Sequence, residues 1–207
     1  MNATPEERQW AQKTQLRRLA LRRRAAQPDK PALSERICAT VKTLPEYRQA
    51  RTICSYVGVG TEVLTRDLLG EAMAVGKQVT VPYVDDKRLA LFHLHDLAEL
   101  APAPFDLLEP RVEMRGQSAR RIQPRAVDLF VVPGLAFDAS GARLGHGQRY
   151  YDNLLRRARA ETPRVGLAFA CQVLPRLPVL EYDVSMHAVV TEGAVYRPHA
   201  SDKHLTL

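Results

Sequence analysis

The run Val127-Asp128-Leu129-Phe130-Val131-Val132-Pro133-Gly134 is an almost wholly apolar segment of strand length that ends at a glycine. Shortly after it, Arg143-Leu144-Gly145-His146-Gly147-Gln148-Arg149-Tyr150-Tyr151-Asp152 passes two glycines and enters a helical pattern at Tyr150. A strand, a glycine-containing loop and a helix start, in this order, form a cradle whose backbone N–H groups face an anion. Arg143 and Arg149 add planar guanidinium groups that suit phosphate oxygens. The stretch therefore predicts a phosphate-binding site.

The rest of the chain alternates helical patterns with short apolar runs. Such alternation favours an open, largely parallel sheet with helices on both faces, the Rossmann-like three-layer arrangement of the α/β class. Residues 98–126 carry repeated prolines and are predicted to be mostly loop. The predicted helices are about 6–26, 31–44, 62–75 and 150–160, and the predicted strands are 52–57, 78–82, 89–95, 127–132, 164–169 and 188–191.

Length and composition indicate one domain. The chain has 207 residues, of which 45% are hydrophobic, so it has ample material for a core. We expect residues 1–197 to form this domain, with the basic helix of residues 1–30 packed on it. Residues 198–207 are expected to be a polar tail.

The same composition bears on where the protein works. No apolar run approaches the roughly 18 residues of a membrane span. Residues 1–7 have neither a basic head nor an apolar block, so a secretory signal is not expected. Cys38, Cys54 and Cys171 form no CxxC pair. These features predict a reduced, cytoplasmic protein without a membrane segment or a structural zinc ion.

Positive charge is concentrated at the start of the chain. Residues 1–30 hold eight Lys or Arg against three acidic residues, and the whole chain has a net charge of +7. On a helix, Lys13, Arg17 and Arg24 fall within about 40° of one another. Such a stripe suits a polyanion such as RNA, or a single nucleotide, and it is equally typical of a solvated helix face.

Two acidic residues are candidates for binding. Glu62 follows the predicted strand 52–57, at the edge where parallel sheets bind ligands, although Thr61 or Glu62 could instead cap the next helix. Asp152 lies in a predicted first helical turn, where it could hold Mg²⁺ or complement the helix dipole. The chain contains no Walker sequence and no GxSxG, which excludes a P-loop fold and gives no local signature of a nucleophile.

These residues together resemble the 5-formyltetrahydrofolate cyclo-ligase family, also called 5,10-methenyltetrahydrofolate synthetase. The similarity covers nearly the whole chain, and its matches occur in order. They include Lys13-x-x-x-Arg17, Tyr56, Glu62, Glu109-Pro110, Pro133 to Asp138, Arg143 to Asp152, Gly166 to Phe169, Asp183 and Ala188 to Glu192.

The resemblance implies the reaction and its components. The expected activity is the ATP- and Mg²⁺-dependent cyclisation of 5-formyltetrahydrofolate to 5,10-methenyltetrahydrofolate, with release of ADP and phosphate. The substrate is a small molecule, with or without a polyglutamate tail. The family further implies a monomer or weak dimer that binds neither nucleic acid nor membrane.

The resemblance also assigns roles to residues. Catalytic roles are implied for Arg143, Arg149 and Tyr151. The substrate is expected at Val57, Glu62 and Tyr150, and the metal at Asp152 and His187. ATP is expected at Lys13, Arg17, Arg143, Leu144, Gly145, His146, Gly147, Gln148, Arg149, Tyr150 and Tyr151.

Two positions depart from the family pattern. Arg149 stands where the family usually has a third glycine, and a left-handed backbone there would cost an arginine on the order of 1 kcal/mol. His187 stands where the family usually has an aspartate near the metal, and histidine is a poorer Mg²⁺ ligand than a carboxylate.

These departures leave three hypotheses open. The first is an active cyclo-ligase. The second is a divergent homologue that binds nucleotide or folate without cyclisation and acts as a regulatory protein that contacts RNA. The third is a related enzyme for a different N-formyl or carboxyl substrate.

Overall fold

A computed structural model describes residues 4–104 and 107–198, so residues 199–207 of the predicted tail lie outside the described residues. The helices are α1 Pro5–Ala26, α2 Lys30–Thr43, α3 Pro45–Gln49, α4 Arg66–Ala74, α5 Val112–Arg115 and α6 Tyr150–Leu155. The strands are β1 Thr52–Ser55, β2 Gln78–Asp85, β3 Arg88–Leu94, β4 Leu100–Pro102, β5 Leu108–Pro110, β6 Arg121–Ile122, β7 Leu129–Val132, β8 Ala136–Asp138, β9 Arg143–Leu144, β10 Arg164–Leu167, β11 Val173–Leu174, β12 Ala188–Val190 and β13 Val195–Tyr196.

The central sheet has eight strands in the order β13-β12-β10-β7-β1-β2-β3-β6. Its five middle strands, from β12 to β2, are all parallel, while β13, β3 and β6 pair in the antiparallel direction. The predicted open, largely parallel sheet is therefore confirmed. The chain runs from β1 to β2 on one side and later returns to β7 on the other. In open α/β sheets such a reversal leaves a crevice outside the carboxyl ends of the two strands.

Helices cover both faces of this sheet. Alternate residues of a strand point to opposite faces. On β7, Leu129 and Val131 belong to the hydrophobic cluster that contains buried residues of α2, α3 and α4. Phe130 and Val132 belong to a second cluster, which contains Leu154 and Leu155 of α6. The three-layer arrangement follows from this division.

The first helix packs beside the central sheet rather than on it. A small sheet in the order β11-β8-β9 contributes Ala136, Leu144 and Leu174 to a third hydrophobic cluster, which also contains Ala20 of α1. At its start, α1 has a capping box, in which Thr4 Oγ1 accepts from the Glu7 amide at 3.2 Å. No described helix is both long and apolar enough to cross a membrane.

Three sequence-based predictions are corrected. Helix α4 begins at Arg66 rather than near residue 62, because the preceding residues form a tight loop in which the Gly58 amide donates to Thr65 Oγ1. Neither Thr61 nor Glu62 therefore caps it. Helix α6 ends at Leu155 rather than near residue 160. The segment 98–126, predicted to be mostly loop, contains three short strands and a short helix.

Candidate active site

A cleft of about 1110 Å³ opens at the carboxyl ends of β1 and β7. Val57, just after β1, and Gly134, just after β7, line its floor. Helix α1, the loop after β9 and the segments around β2, β3 and β5 also contribute lining residues. Its volume lies just above the range of about 300–1,000 Å³ that is usual for small-molecule pockets.

Nearly all predicted site residues line this cleft. His187 does not, since it immediately precedes β12 and so lies at the amino end of a parallel strand, on the opposite edge of the sheet. Its ring Nδ1 accepts from the Arg164 amide at 3.1 Å. The residues brought together are Lys13, Arg17, Val57, Glu62, Arg143, Leu144, Gly145, His146, Gly147, Gln148, Arg149, Tyr150, Tyr151 and Asp152.

The cationic stripe of α1 faces the protein. Lys13 is 4% exposed and forms an ion pair with Asp183. Arg17 Nε donates to the Gly145 carbonyl at 3.0 Å. Arg24 is 6% exposed, and its Nε donates to Thr61 Oγ1 at 3.1 Å. The interpretation of the stripe as a solvated face is therefore wrong.

The loop between β9 and α6 carries unused backbone donors. No amide of residues 145–149 donates a hydrogen bond to another described residue. Gly147 has φ +101°, a conformation that side chains disfavour. Arg149, with φ 56° and ψ 14°, is also left-handed. Five consecutive free amides beside cationic side chains form a cradle suited to phosphate oxygens.

Arg143 is mainly committed to the protein. Its Nη2 donates to Asp152 Oδ1 at 3.0 Å, and both side chains are buried. Asp152 Oδ1 also accepts from the Val184 amide at 3.1 Å. The Arg143 guanidinium lies 5.6 Å from the Tyr151 ring centroid. Of the three guanidinium nitrogens of Arg143, Nε alone has no partner among the described residues, and it is buried. This pair joins the start of the loop to the start of α6.

Arg149 is held differently. Its guanidinium carbon lies 3.5 Å from the centroid of the Tyr182 ring, within van der Waals contact of the ring face. No carboxylate in residues 4–104 or 107–198 forms an ion pair with it. The left-handed backbone that the sequence analysis considered at Arg149 is confirmed by the structure.

Burial controls the titration of three cleft residues. Burial raises the pKa of the Glu62 carboxyl, and the Arg24 guanidinium, 3.8 Å away, opposes this rise. Burial also raises the pKa of Tyr151 well above its usual range, so its hydroxyl stays protonated. The pKa of His146 is lowered by burial and by the charges of Arg24 and Arg17, which favours the neutral ring.

A second part of the cleft, which we call the apolar end, is lined mainly by apolar side chains. Pro82, Val84, Leu89 and Leu108 line it. Glu109 closes this end, where its Oε1 accepts from the Val84 amide at 3.1 Å, and an ion pair of 3.0 Å joins its Oε2 to Arg115.

Sequence reasoning missed several lining residues. Trp10, Tyr182 and Arg115 line the cleft without any spacing or motif that singles them out. Asp183 and Glu109 had a signal, since both belong to the matches that carry the family resemblance. Asp183 forms an ion pair with Lys13, and Glu109 forms one with Arg115. These pairs are tertiary contacts, which the sequence does not reveal.

The described residues contain no group of three or more His, Cys, Asp or Glu side chains placed to hold a metal ion. Mg²⁺ in nucleotide sites is commonly held by one or two carboxylates together with substrate phosphates and water. Asp152 lines the cleft, and its Oδ2 makes no hydrogen bond to a described residue. Asp152 therefore has one carboxylate oxygen available to a cation.

Comparison with known proteins identifies similar chains. The model of the 5-formyltetrahydrofolate cyclo-ligase family matches residues 7–192. The Escherichia coli K12 5-formyltetrahydrofolate cyclo-ligase is 29% identical over 84% of this chain and 97% of its own length. The probable enzyme of Schizosaccharomyces pombe is 32% identical over 78% of this chain and 84% of its own length. The mitochondrial enzyme of Arabidopsis thaliana is 31% identical over 78% of this chain and 66% of its own length.

Solved structures agree with these relatives. The Aquifex aeolicus 5,10-methenyltetrahydrofolate synthetase superposes with a TM-score of 0.77 and 33% identity, over 90% of this chain and 93% of that one. A synthetase from Mycoplasma pneumoniae has a TM-score of 0.68 at 20% identity, over 87% of this chain and 98% of that one, which supports the fold alone.

Proposed function

The chain belongs to the 5-formyltetrahydrofolate cyclo-ligase family, and we propose that it closes 5-formyltetrahydrofolate to 5,10-methenyltetrahydrofolate at the expense of Mg-ATP, releasing ADP and phosphate. One observation carries the nucleotide part of this proposal. The five free amides of residues 145–149 lie in the same cleft as Arg17 and Arg149. A row of donors flanked by cations suits a triphosphate.

The fit of ATP rests on the chemistry of these donors. Arg17 and Arg149 supply planar donor groups, Lys13 supplies a point charge, and the amides around Gly145 and Gly147 surround phosphate oxygens. Bound ATP supplies a phosphoryl group that turns the formyl oxygen into a leaving group. Asp152 is the carboxylate that we assign to the accompanying Mg²⁺, through its free Oδ2.

The folate part rests on Glu62 and on the apolar end. A carboxylate accepts two parallel N–H bonds from the amidine-like edge of a pterin, while Val57 and Tyr150 line the same cleft. The apolar side chains of Pro82, Val84 and Leu89 suit an aromatic ring system. Burial of Glu62 strengthens such hydrogen bonds, because the local dielectric is low.

The remaining cleft groups position the reactants. Tyr151 keeps its proton, so its hydroxyl donates hydrogen bonds and does not act as a base. Arg143 and Asp152 fix both ends of the loop, so the amide cradle keeps its shape before the ligand binds. The cleft residues therefore act by binding, orientation and hydrogen bonding.

The alternative of an RNA-contacting regulator cannot use the α1 stripe. Lys13 and Arg24 are buried and paired, so only the exposed arginines of α1, such as Arg18, Arg22 and Arg23, face a polyanion outside the protein. Our predictions of a cytoplasmic protein, a monomer or weak dimer and a single domain over residues 1–197 stay predictions.

A spectroscopic assay tests the proposal directly. Nuclease-treated protein, 5-formyltetrahydrofolate, ATP and Mg²⁺ are expected to give the absorbance of the methenyl product. Omitting ATP or adding EDTA is expected to abolish the signal. Absence of product above the ATP-free control would refute the proposal. Folinate binding that Mg-ATP enhances, without product, would instead indicate a non-cyclising homologue.

A further inference from the structure

We infer that Tyr182 is a positioning residue whose aromatic ring holds the Arg149 guanidinium in place for the nucleotide phosphates. This inference rests on the proposed function, because it assigns a partner to one of the nucleotide-binding residues. Tyr182 lies in the segment between β11 and β12, far from the glycine loop in sequence, and no motif singled it out.

Arg149 has an unusual backbone conformation. Its backbone is left-handed, which an arginine adopts only at a cost and which persists where the surroundings enforce it. Tyr182 supplies such a contact, since its ring lies 3.5 Å from the guanidinium carbon. A cation over an aromatic face is attracted by the negative charge density of that face.

The side chain of Arg149 has hydrogen-bond donors that it does not use within the described residues. A guanidinium group has five N–H donors. Arg143 donates hydrogen bonds to Asp152 and to the Pro133 carbonyl. Arg149 donates no hydrogen bond and forms no ion pair with any described residue. A ring contact holds the group without consuming its donors, so they remain available to an anion.

The Tyr182 ring lies near two cations. Lys13 Nζ lies 5.9 Å from the centroid of the same Tyr182 ring, and the neighbouring Asp183 pairs with Lys13. Residues 182 and 183 thus hold a cation of α1 and a cation of the glycine loop together. The Tyr182 hydroxyl is buried and has no partner among the described residues. The contacts to the two cations are therefore made by the ring and not by the hydroxyl.

The test measures nucleotide binding rather than turnover. Trp10 is the sole tryptophan of the chain, it lines the cleft, and its ring lies 5.4 Å from the Arg17 guanidinium. Its fluorescence therefore reports a titration with ATP and Mg²⁺. The variants are Tyr182→Phe, Tyr182→Leu, Tyr182→Met, Arg149→Ala, Arg149→Gly and the double variant Tyr182→Leu with Arg149→Ala, with Tyr196→Leu as a control outside the cleft.

We expect Tyr182→Leu and Arg149→Ala each to weaken ATP binding about tenfold, since the first releases the Arg149 cation from its position and the second removes it. The double variant should be no weaker than either single one, because the two side chains act as one unit. Tyr182→Phe, which keeps the ring, should bind within about twofold of wild type. Arg149→Gly should weaken binding as much as Arg149→Ala, because both replacements remove the cation while only the glycine relieves the left-handed backbone.

Additive losses in the double variant, or wild-type affinity in both Tyr182→Leu and Tyr182→Met, would overturn the inference. The two non-aromatic replacements duplicate each other, so a folding failure of one leaves the other to decide. If both fail to fold, a loss of affinity in Tyr182→Phe equal to that of Arg149→Ala overturns it as well. Failure of wild-type protein to bind ATP would count against the proposed function instead.

Discussion

The two ends of the cleft are built in opposite ways. The phosphate end takes its groups from segments that are far apart in sequence. It consists of Lys13, Arg17, Arg149 and residues 145–149. The apolar end, composed of Pro82, Val84, Leu89 and Leu108, belongs largely to one hairpin and its neighbouring strand. The phosphate end combines cationic side chains with the unpaired amides of residues 145–149, whereas the apolar end offers shape and low polarity. Changes at the two ends should therefore alter different kinetic constants.

The largest effect is expected at the phosphate end. Arg17→Ala should lower kcat/KM for ATP about a hundredfold, as the loss of a preorganised charged donor does in other active sites. Arg18 is its matched control, because it is the next residue on α1, is exposed and does not line the cleft. Steady-state kinetics with each substrate varied in turn measures both variants. Equal losses in the two variants would show that total charge, rather than the cleft, is responsible.

A smaller effect is expected at Glu62, which lines the same cleft. Glu62→Gln should raise KM for the folate about thirtyfold, because a charged hydrogen-bond acceptor becomes neutral. In wild type, burial raises the pKa of Glu62, so the ionised form is lost at higher pH than for an ordinary glutamate. The folate KM should therefore rise as pH falls through that raised pKa and be lowest above it.

The pH profile of the folate KM measures this expectation. Glu62→Gln should lose the acidic rise, while the exposed Glu113→Gln should retain it. An unchanged profile in Glu62→Gln would assign the titration to another group.

The smallest effect is expected at the apolar end. Val84→Asp should raise KM for the folate about tenfold and leave KM for ATP unchanged, because a charge must then be desolvated beside the ring system. Val84 is partly exposed, so the fold should tolerate the change. Val75→Asp, at an exposed valine outside the cleft, is the control. A parallel rise in KM for ATP would mean that the two ends are not separate.

The sequence predicted best what depends on local patterns. The strand before Pro133 and the glycine loop were readable because an apolar run and a pair of glycines are local features. Helix α1 was readable from its length and from the breaker Pro28. The contact between Tyr182 and Arg149 could not be predicted, because contacts between distant segments produce no periodic pattern in the sequence.

The errors have the same origin. Glu62 was placed at the correct edge of the sheet, yet the helix start was misjudged, because the Thr65 side chain holds the loop through tertiary hydrogen bonds. His187 was assigned to the metal from the family pattern, whereas the register of β12 places it at the far edge. A parallel strand fixes which of its ends meets the cleft, and this follows from topology rather than from residue type.

The ion pair between Lys13 and Asp183 spans 170 positions of the chain. During translation, the amino-terminal helix emerges from the ribosome long before its carboxylate partner. The nascent polypeptide can assemble most of its central strands before this ion pair forms. Under the proposed function, the nucleotide site is completed only after residue 183 has been synthesised.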